Sequence, residues 1–328
     1  MAIMLTEVLT PDNTQLSGPT RNALTGSIAI NCISDEAVRL VEASLSENTR
    51  RAYESDLAHF EAWGGSLPAT PGTVASYLAA HVETLSVATL VRRVATLSKA
   101  HEAKGLPNPC RSELVRATLR GIKRVRSTAQ REAKPLLRED LFLILNGMGD
   151  DLKDVRDRAL LLLGFAGGFR RSELVGLDCG DIERVRQGLI VTLRRSKTDQ
   201  EGAGRKIGVP HGRTCYCPVT ALDRWLTLSG IEPGPIFRSV DRHGRIHAER
   251  LSGEAVSLVI RERLAASGID PTGYSGHSLR AGFATSAAQI GVSSVKIRAQ
   301  TGHASDNMLA RYVRDGELFI GNAAAALL

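Results

Sequence analysis

Six residues in the second half of the chain follow one another in an order that suits a single kind of chemistry: Arg170, Lys197, His277, Arg280, His303 and Tyr312. Breaking a phosphodiester without metal or cofactor requires a nucleophile for phosphorus, fixed cationic donors for the two non-bridging oxygens, and a proton for the departing oxygen. Arginine suits the second task because its planar fork matches phosphate oxygens and stays charged. Lysine or histidine suits the third. A side-chain nucleophile keeps the bond as an ester, so resealing requires no ATP. Arg170 stands in Gly168-Phe169-Arg170-Arg171-Ser172-Glu173-Leu174, Lys197 in Arg195-Ser196-Lys197-Thr198, His277 and Arg280 in His-Ser-Leu-Arg, His303 after Gly302, and Tyr312 nine residues beyond His303. Taken singly these are ordinary features: a tyrosine near a helix end usually packs, and a Gly-His pair usually just turns. Their shared order and spacing set them apart.

The elements that must position this set are mostly helices. Tyr53, Leu57 and Phe60 share one face after a capping region at Ser46 and Asn48, as do Val38, Val41 and Leu45 before it. Thr70-Pro71 reads as an N-cap and first-turn proline leading into Val74, Tyr77 and Leu78. Ser86 opens a helix with Leu90, Val94 and Leu97 inward, stopping near Gly105. Val115, Leu119 and Ile122 mark another, with Arg116, Arg120, Lys123 and Arg124 on its far side. Residues 1–33 are polar and aperiodic and read as a flexible tail, 34–127 as a helical domain, and 128–135 as a linker ending in proline. In 136–328 an apolar helix over Asp157–Phe165 breaks at Gly167-Gly168. Leu189–Leu193 and Ile207–Val209 are β-type and flank a glycine-containing cationic turn. Helices are expected at Pro218–Ser229, Gly253–Ser267, Leu279–Ile290, Ser293–Thr301 and Ser305–Tyr312. The expected fold is mainly α in two domains, one all-helical and one α+β with a small antiparallel sheet.

Net charge is +7, and residues 111–134 alone carry eight basic side chains against two acidic ones, a net +6. Such a segment suits a polyanion. The five cysteines are thinly spread and odd in number, which argues against a disulfide framework. Cys215-x-Cys217 after His211 has no second ligand pair, so it reads as two reduced thiols and no metal or other cofactor is expected. The longest apolar run, Ala159–Phe169, is too short to span a bilayer, and the start of the chain lacks a leader pattern, so a cytoplasmic location is expected.

The ordered set resembles the tyrosine recombinase family of Cre-like, Xer-like and phage or transposon integrases, whose sequences read Gly-Leu-Arg-x-x-Glu-Leu, then a β-hairpin lysine, His-x-x-Arg, Gly-His and Tyr. Phe169 replaces the usual leucine. The resemblance covers the second region and reaches the first, where Asn48-Thr49-Arg50-Arg51-Ala52-Tyr53 through Phe60 and Trp63 looks like the family's opening core-binding helix. It implies a core-binding DNA domain followed by a catalytic domain, and a metal- and ATP-independent DNA strand transferase. Tyr312 would form a 3′-phosphotyrosyl bond, Arg170 and Arg280 hold the non-bridging oxygens, and His303 add a donor. Lys197 would protonate the 5′ oxygen, with Lys206 across the turn as its rival. His277 would manage the tyrosine proton, and Glu173, one turn past Arg170, would orient it.

The same resemblance implies double-stranded DNA core sites as partner, a homotetramer built as pairs of dimers, an accessory or partner recombinase in some members, and work beside the nucleoid. The DNA-facing residues would be Thr89, Arg92 and Arg93, with Arg120, Lys123 and Arg124. Neutralising six to ten phosphates would lower affinity roughly 10³–10⁵-fold between 50 and 200 mM salt. Leu318, Phe319 and Ile320 precede an Ala-rich end that would dock into a neighbouring protomer. The short N-terminal segment leaves no room for an arm-type DNA-binding domain. Competing readings are a non-catalytic DNA-binding protein of this fold, against which the intact residue set argues, a topoisomerase-like DNA-relaxing enzyme, and a telomere resolvase, whose chains run longer.

Overall fold

The computed structural model describes residues 34, 36, 39–40, 47–126, 133–194, 204–303, 305, 309–312 and 327. The tail at 1–33, the face of Val38, Val41 and Leu45, most of the linker, the hairpin tip with Lys197, and the segment with Leu318, Phe319 and Ile320 lie outside the described residues. The chain divides into two compact units, Met1–Gln130 and Arg131–Leu328.

The first unit is helical throughout: α1 (Glu47–Ala62), α2 (Pro71–Ala80), α3 (Val87–Ala103), a 3₁₀ turn (Pro109–Arg111) and α4 (Glu113–Val125). Side-chain caps start three of these helices. Thr70 Oγ1 accepts from Thr73 N at 3.1 Å, Ser86 Oγ from Thr89 N at 3.1 Å and Ser112 Oγ from Val115 N at 3.4 Å. The periodic apolar residues Leu57, Phe60, Val74, Tyr77, Leu78, Leu90, Leu97, Val115 and Ile122 meet in one core. That packing turns Arg116, Arg120, Lys123 and Arg124 outward on α4. Arg120 pairs with Glu113, whereas no carboxylate pairs with Lys123 or Arg124 among the described residues.

Arg93 corrects the expected DNA-facing row. It stands between Leu90 and Leu97 on the buried stripe of α3 and is 7% exposed. Its guanidinium donates to Tyr77 Oη at 2.7 Å, lies 2.8 Å from His59 Nδ1 and pairs with Asp56 at 3.4 Å. Asp56 also accepts from Arg92 at 2.8 Å and Thr96 Oγ1 at 3.0 Å. Arg93 therefore ties the domain core together, with its guanidinium turned inward. Arg92 stays half exposed beside it, and Thr89 is half-buried at the Ser86 cap.

The second unit is built around α6 (Leu152–Ala166), whose Leu160, Leu161 and Leu163 are fully buried. Around it lie α5 (Arg138–Asn146), α7 (Arg171–Gly176), α8 (Pro218–Ser229), α9 (Gly253–Ala266), α10 (Ser278–Gln289) and α11 (Ser294–Thr301). Residues 309–312 are helical. Strands β1 (Ile182–Val185), β2 (Gly188–Leu193) and β3 (Arg205–Pro210) form an antiparallel sheet in that order, with Leu193 opposite Arg205. Leu189, Val191, Leu193, Ile207 and Val209 point into the core, as period-two alternation dictates. Sequence reading missed β1 and a second ribbon of β4 (Arg238–Val240) and β5 (Ile246–Arg250). These strands are three to five residues long and polar, so they exist through pairing rather than through an apolar pattern. Just before α5, Leu136 N donates to Ser278 O at 3.0 Å, and a Cβ at Gly282 would overlap the Leu136 carbonyl.

Candidate active site

Arg170 owes its place to the glycine break. Helix α6 ends at Gly167, and Gly168 adopts φ +58°, a left-handed conformation that glycine tolerates. Buried Phe169 then anchors the turn, leaving Arg170 as the N-cap of α7. Glu173 accepts from Arg170 N at 2.9 Å and from Nη1 at 2.5 Å, while Nη2 donates to Gly302 O at 3.2 Å. One arginine thus joins the start of α7 to the turn after α11.

Arg280 enters from the first turn of α10 and is 1% exposed. Its Nη1 donates to Gly168 O at 2.9 Å and to Thr301 O. Its Nη2 is buried and has no hydrogen-bond partner among the described residues. Burial, then the charges of Arg170 and Arg205, lower its pKa to about 10, with Glu173 opposing them.

His303 follows the left-handed Gly302, φ +66°, that caps α11. Thr301 Oγ1 donates to Ile297 O at 2.7 Å, so at 2.8 Å it accepts from His303 Nδ1. The neutral ring therefore carries its proton on Nδ1 and leaves Nε2 bare. Burial, then Arg280, Arg170, His277 and Arg205, hold its pKa down at about 3. His277 N-caps α10, and its Nε2 lies 2.9 Å from Tyr312 Oη. Desolvation by the surrounding protein, followed by the Arg280, Arg170 and Arg171 charges, lowers its pKa as well. A neutral imidazole facing a phenol is placed to accept the phenol proton. The Tyr312 ring also lies 5.8 Å from that of His303.

Five of the six sequence-selected residues thus lie within the described site, and Lys197 lies outside the described residues. Lys206 is exposed, opposite Thr192, on the face of β3 away from Arg205. Arg205 itself was missed. Its Nη1 donates to Ala299 O at 3.2 Å and Gln300 O at 3.0 Å, beside Gly302. The sequence offered it only as one of the three cations, with Lys197 and Lys206, in the glycine-containing turn between the strands. Burial, with Arg170 nearby, depresses its pKa, Glu173 opposing. The site therefore gathers three guanidiniums and two imidazoles, with Glu173 paired to Arg170 and opposing the shifts of Arg205 and Arg280. Charge of that sign and density matches a phosphodiester.

Among the described residues no group of three His, Cys, Asp or Glu side chains is arranged to hold a metal ion. Burial raises the Cys217 pKa, but hydrogen bonds from Thr220, Gly212 and His211 outweigh it and bring the thiol to about 7. No described helix is long and apolar enough to cross a membrane.

The Phage integrase family model matches residues 135–317. A relative from Selenomonas ruminantium, an integrase/recombinase xerD homolog, is 38% identical over 301 residues, covering 89% of this chain and 88% of that one. The chain belongs to the phage integrase family of tyrosine recombinases. Two solved structures share its fold. XerH site-specific recombinase bound to palindromic difH substrate in a post-cleavage complex has TM-score 0.64 at 18% identity, covering 93% of this chain and 90% of that one. A lambda integrase tetramer bound to a Holliday junction has TM-score 0.61 at 20% identity, covering 85% and 75%. This tyrosine recombinase is a site-specific enzyme that cuts and rejoins DNA strands, and DNA is its partner.

Proposed function

We propose that the recombinase works through a 3′-phosphotyrosyl intermediate on Tyr312. The scissile phosphate sits against Arg170 and Arg280, whose guanidiniums take the charge that grows on the non-bridging oxygens. As Tyr312 Oη bonds to phosphorus, its proton passes to His277 Nε2 and the bond from phosphorus to the 5′ oxygen breaks. Lys197 protonates that oxygen. The outward face held by Lys206 favours Lys197 for this role. Glu173 orients Arg170. His303 becomes a donor once the phosphate charge offsets the guanidiniums and a second proton enters its ring. The observation that carries the reading is the Tyr312–His277 contact at the rim of an excess of cations.

The helical unit, residues 34–127, serves on this reading as the core-binding domain. Thr89 and Arg92 on α3 and Arg120, Lys123 and Arg124 on α4 face DNA, and Arg93 does not. The linker at 128–135 joins it to the catalytic domain, 136–328. A tetramer made of two dimers fits the likeness to the lambda integrase assembly. Docking of the C-terminal segment onto a neighbour fits its apolar end. A DNA substrate puts the enzyme in the cytoplasm beside the nucleoid.

The test is covalent trapping on nicked DNA fragments from the gene's own neighbourhood. Tyr312→Phe is expected to abolish the covalent complex and leave binding within about twofold, since a hydroxyl removed from the nucleophile ends the chemistry alone. Trapping that survives Tyr312→Phe overturns the mechanism.

A further inference from the structure

Arg205 belongs to no assigned role, yet its surroundings are specific. It opens β3, directly after the hairpin that carries Lys197. Strand alternation sends it inward, away from Lys206. There its Nη1 takes the carbonyls of Ala299 and Gln300, the last turn of α11. Those carbonyls have no amide partner within the helix and form the negative end of its dipole, so a guanidinium is the natural cap. Gln300 strengthens the same seam, its Nε2 donating to Gly208 O on β3 at 3.0 Å and to Ala166 O on α6 at 2.9 Å.

Gly302 records how close this contact is. A Cβ built there would overlap the Arg205 guanidinium. The Gly302 carbonyl meanwhile accepts from Arg170, and His303 follows at once. Three elements therefore converge on one turn: β3 through Arg205, the α6–α7 break through Arg170, and α10 through the Arg280 contact with Thr301 O.

We propose that Arg205 is a positioning residue of the strand-transfer site, gripping the carbonyl end of α11 so that the Gly302–His303 turn is held rigidly to β3. This rests on the mechanism proposed above. It assigns Arg205 no contact with DNA. Its Nη2 is buried and without a hydrogen-bond partner among the described residues, turned into the protein and not toward solvent. Its charge also contributes to the depressed His303 pKa. The arrangement couples β3 to His303, so a displaced β3 displaces the turn.

The experiment measures single-turnover cleavage of a nicked DNA substrate, with binding by gel shift, for the full chain. Arg205→Ala is expected to slow cleavage about 10- to 100-fold with affinity changed less than about threefold, as befits a group acting on the transition state through another. In a His303→Ala background the same change should add less than about threefold, because residues acting as a unit are not additive. Arg205→Lys keeps the charge but loses the fork, and should recover part of the rate. It also serves if the alanine variant fails to fold. Wild-type cleavage by Arg205→Ala, or a full additional loss in the His303→Ala background, overturns the proposal. Tyr312→Phe run alongside separates the two readings: trapping that survives there sinks the mechanism, whereas trapping lost there and unchanged in Arg205→Ala sinks only the positioning role.

Discussion

Each unit of this recombinase gathers arginines into a cluster, the Asp56 cluster in one and the candidate site in the other, and the two clusters differ in what they pair with. In the helical unit Arg93 and Arg92 close on Asp56, which is 2% exposed, while Tyr77, His59 and Thr96 add further hydrogen bonds. One buried carboxylate serves both arginines, and the cluster fixes α1, α2 and α3 together. In the catalytic unit Glu173 pairs with Arg170, among the described residues no carboxylate pairs with Arg205 or Arg280, and burial together with these guanidiniums keeps His303 neutral. That cluster carries an excess of cations, which on the proposed mechanism a phosphodiester offsets. The first cluster is structural, whereas the second is the one proposed to meet the phosphodiester.

Three experiments could break this contrast, taken from the largest expected effect down. Removing the closing carboxylate with Asp56→Ala leaves two arginines partly buried and unpaired, which should destabilise the helical unit by about 3–5 kcal/mol. Urea unfolding reads this, and a loss below about 1 kcal/mol would mean the cluster is not closed in the sense argued. Next, Arg280→Ala should slow cleavage about 10²–10³-fold, the usual cost of one donor to a developing oxyanion. Single-turnover kinetics and thermal melting together decide it: a stability loss as large as that of Asp56→Ala with normal cleavage would erase the distinction.

The smallest effect concerns protons. In the DNA-free protein His303 titrates at about 3, below its ordinary value of 6.5. Its neutral form is favoured by folding, so the stability it contributes is present above 6.5 and is lost as pH falls toward 3. Bound phosphate reverses the electrostatics and raises the pKa, so binding takes up a proton and affinity falls as pH rises through the bound value. Calorimetry in buffers of different ionisation heat, using Tyr312→Phe, should show uptake that His303→Asn abolishes. Equal uptake by both proteins would show that the surplus charge is not sensed at His303.

Much of this was legible in the sequence, and the exceptions have physical reasons. Helix starts at Pro71, Val87 and Pro218 followed from capping chemistry and first-turn proline, which act within a few residues. The Gly167-Gly168 break announced the place of Arg170. Arg93 was assigned by charge, although its spacing from Leu90 and Leu97 already put it on the buried stripe; period was the better guide. Arg205 left no local trace, because its partners lie in α11, far along the chain. Strands β1, β4 and β5 carry too few apolar residues to advertise themselves.

The contact between Gly282 and Leu136 has a further consequence. Backbone there lies on backbone, and a single added methyl would collide with the Leu136 carbonyl. Such a seam transmits displacement without slack, since no side chain stands between to rotate away. The stretch that emerges from the linker is thereby registered against the helix bearing Arg280 like a key against its ward: the alignment of that arginine is set by a hydrogen atom where every other amino acid would carry carbon.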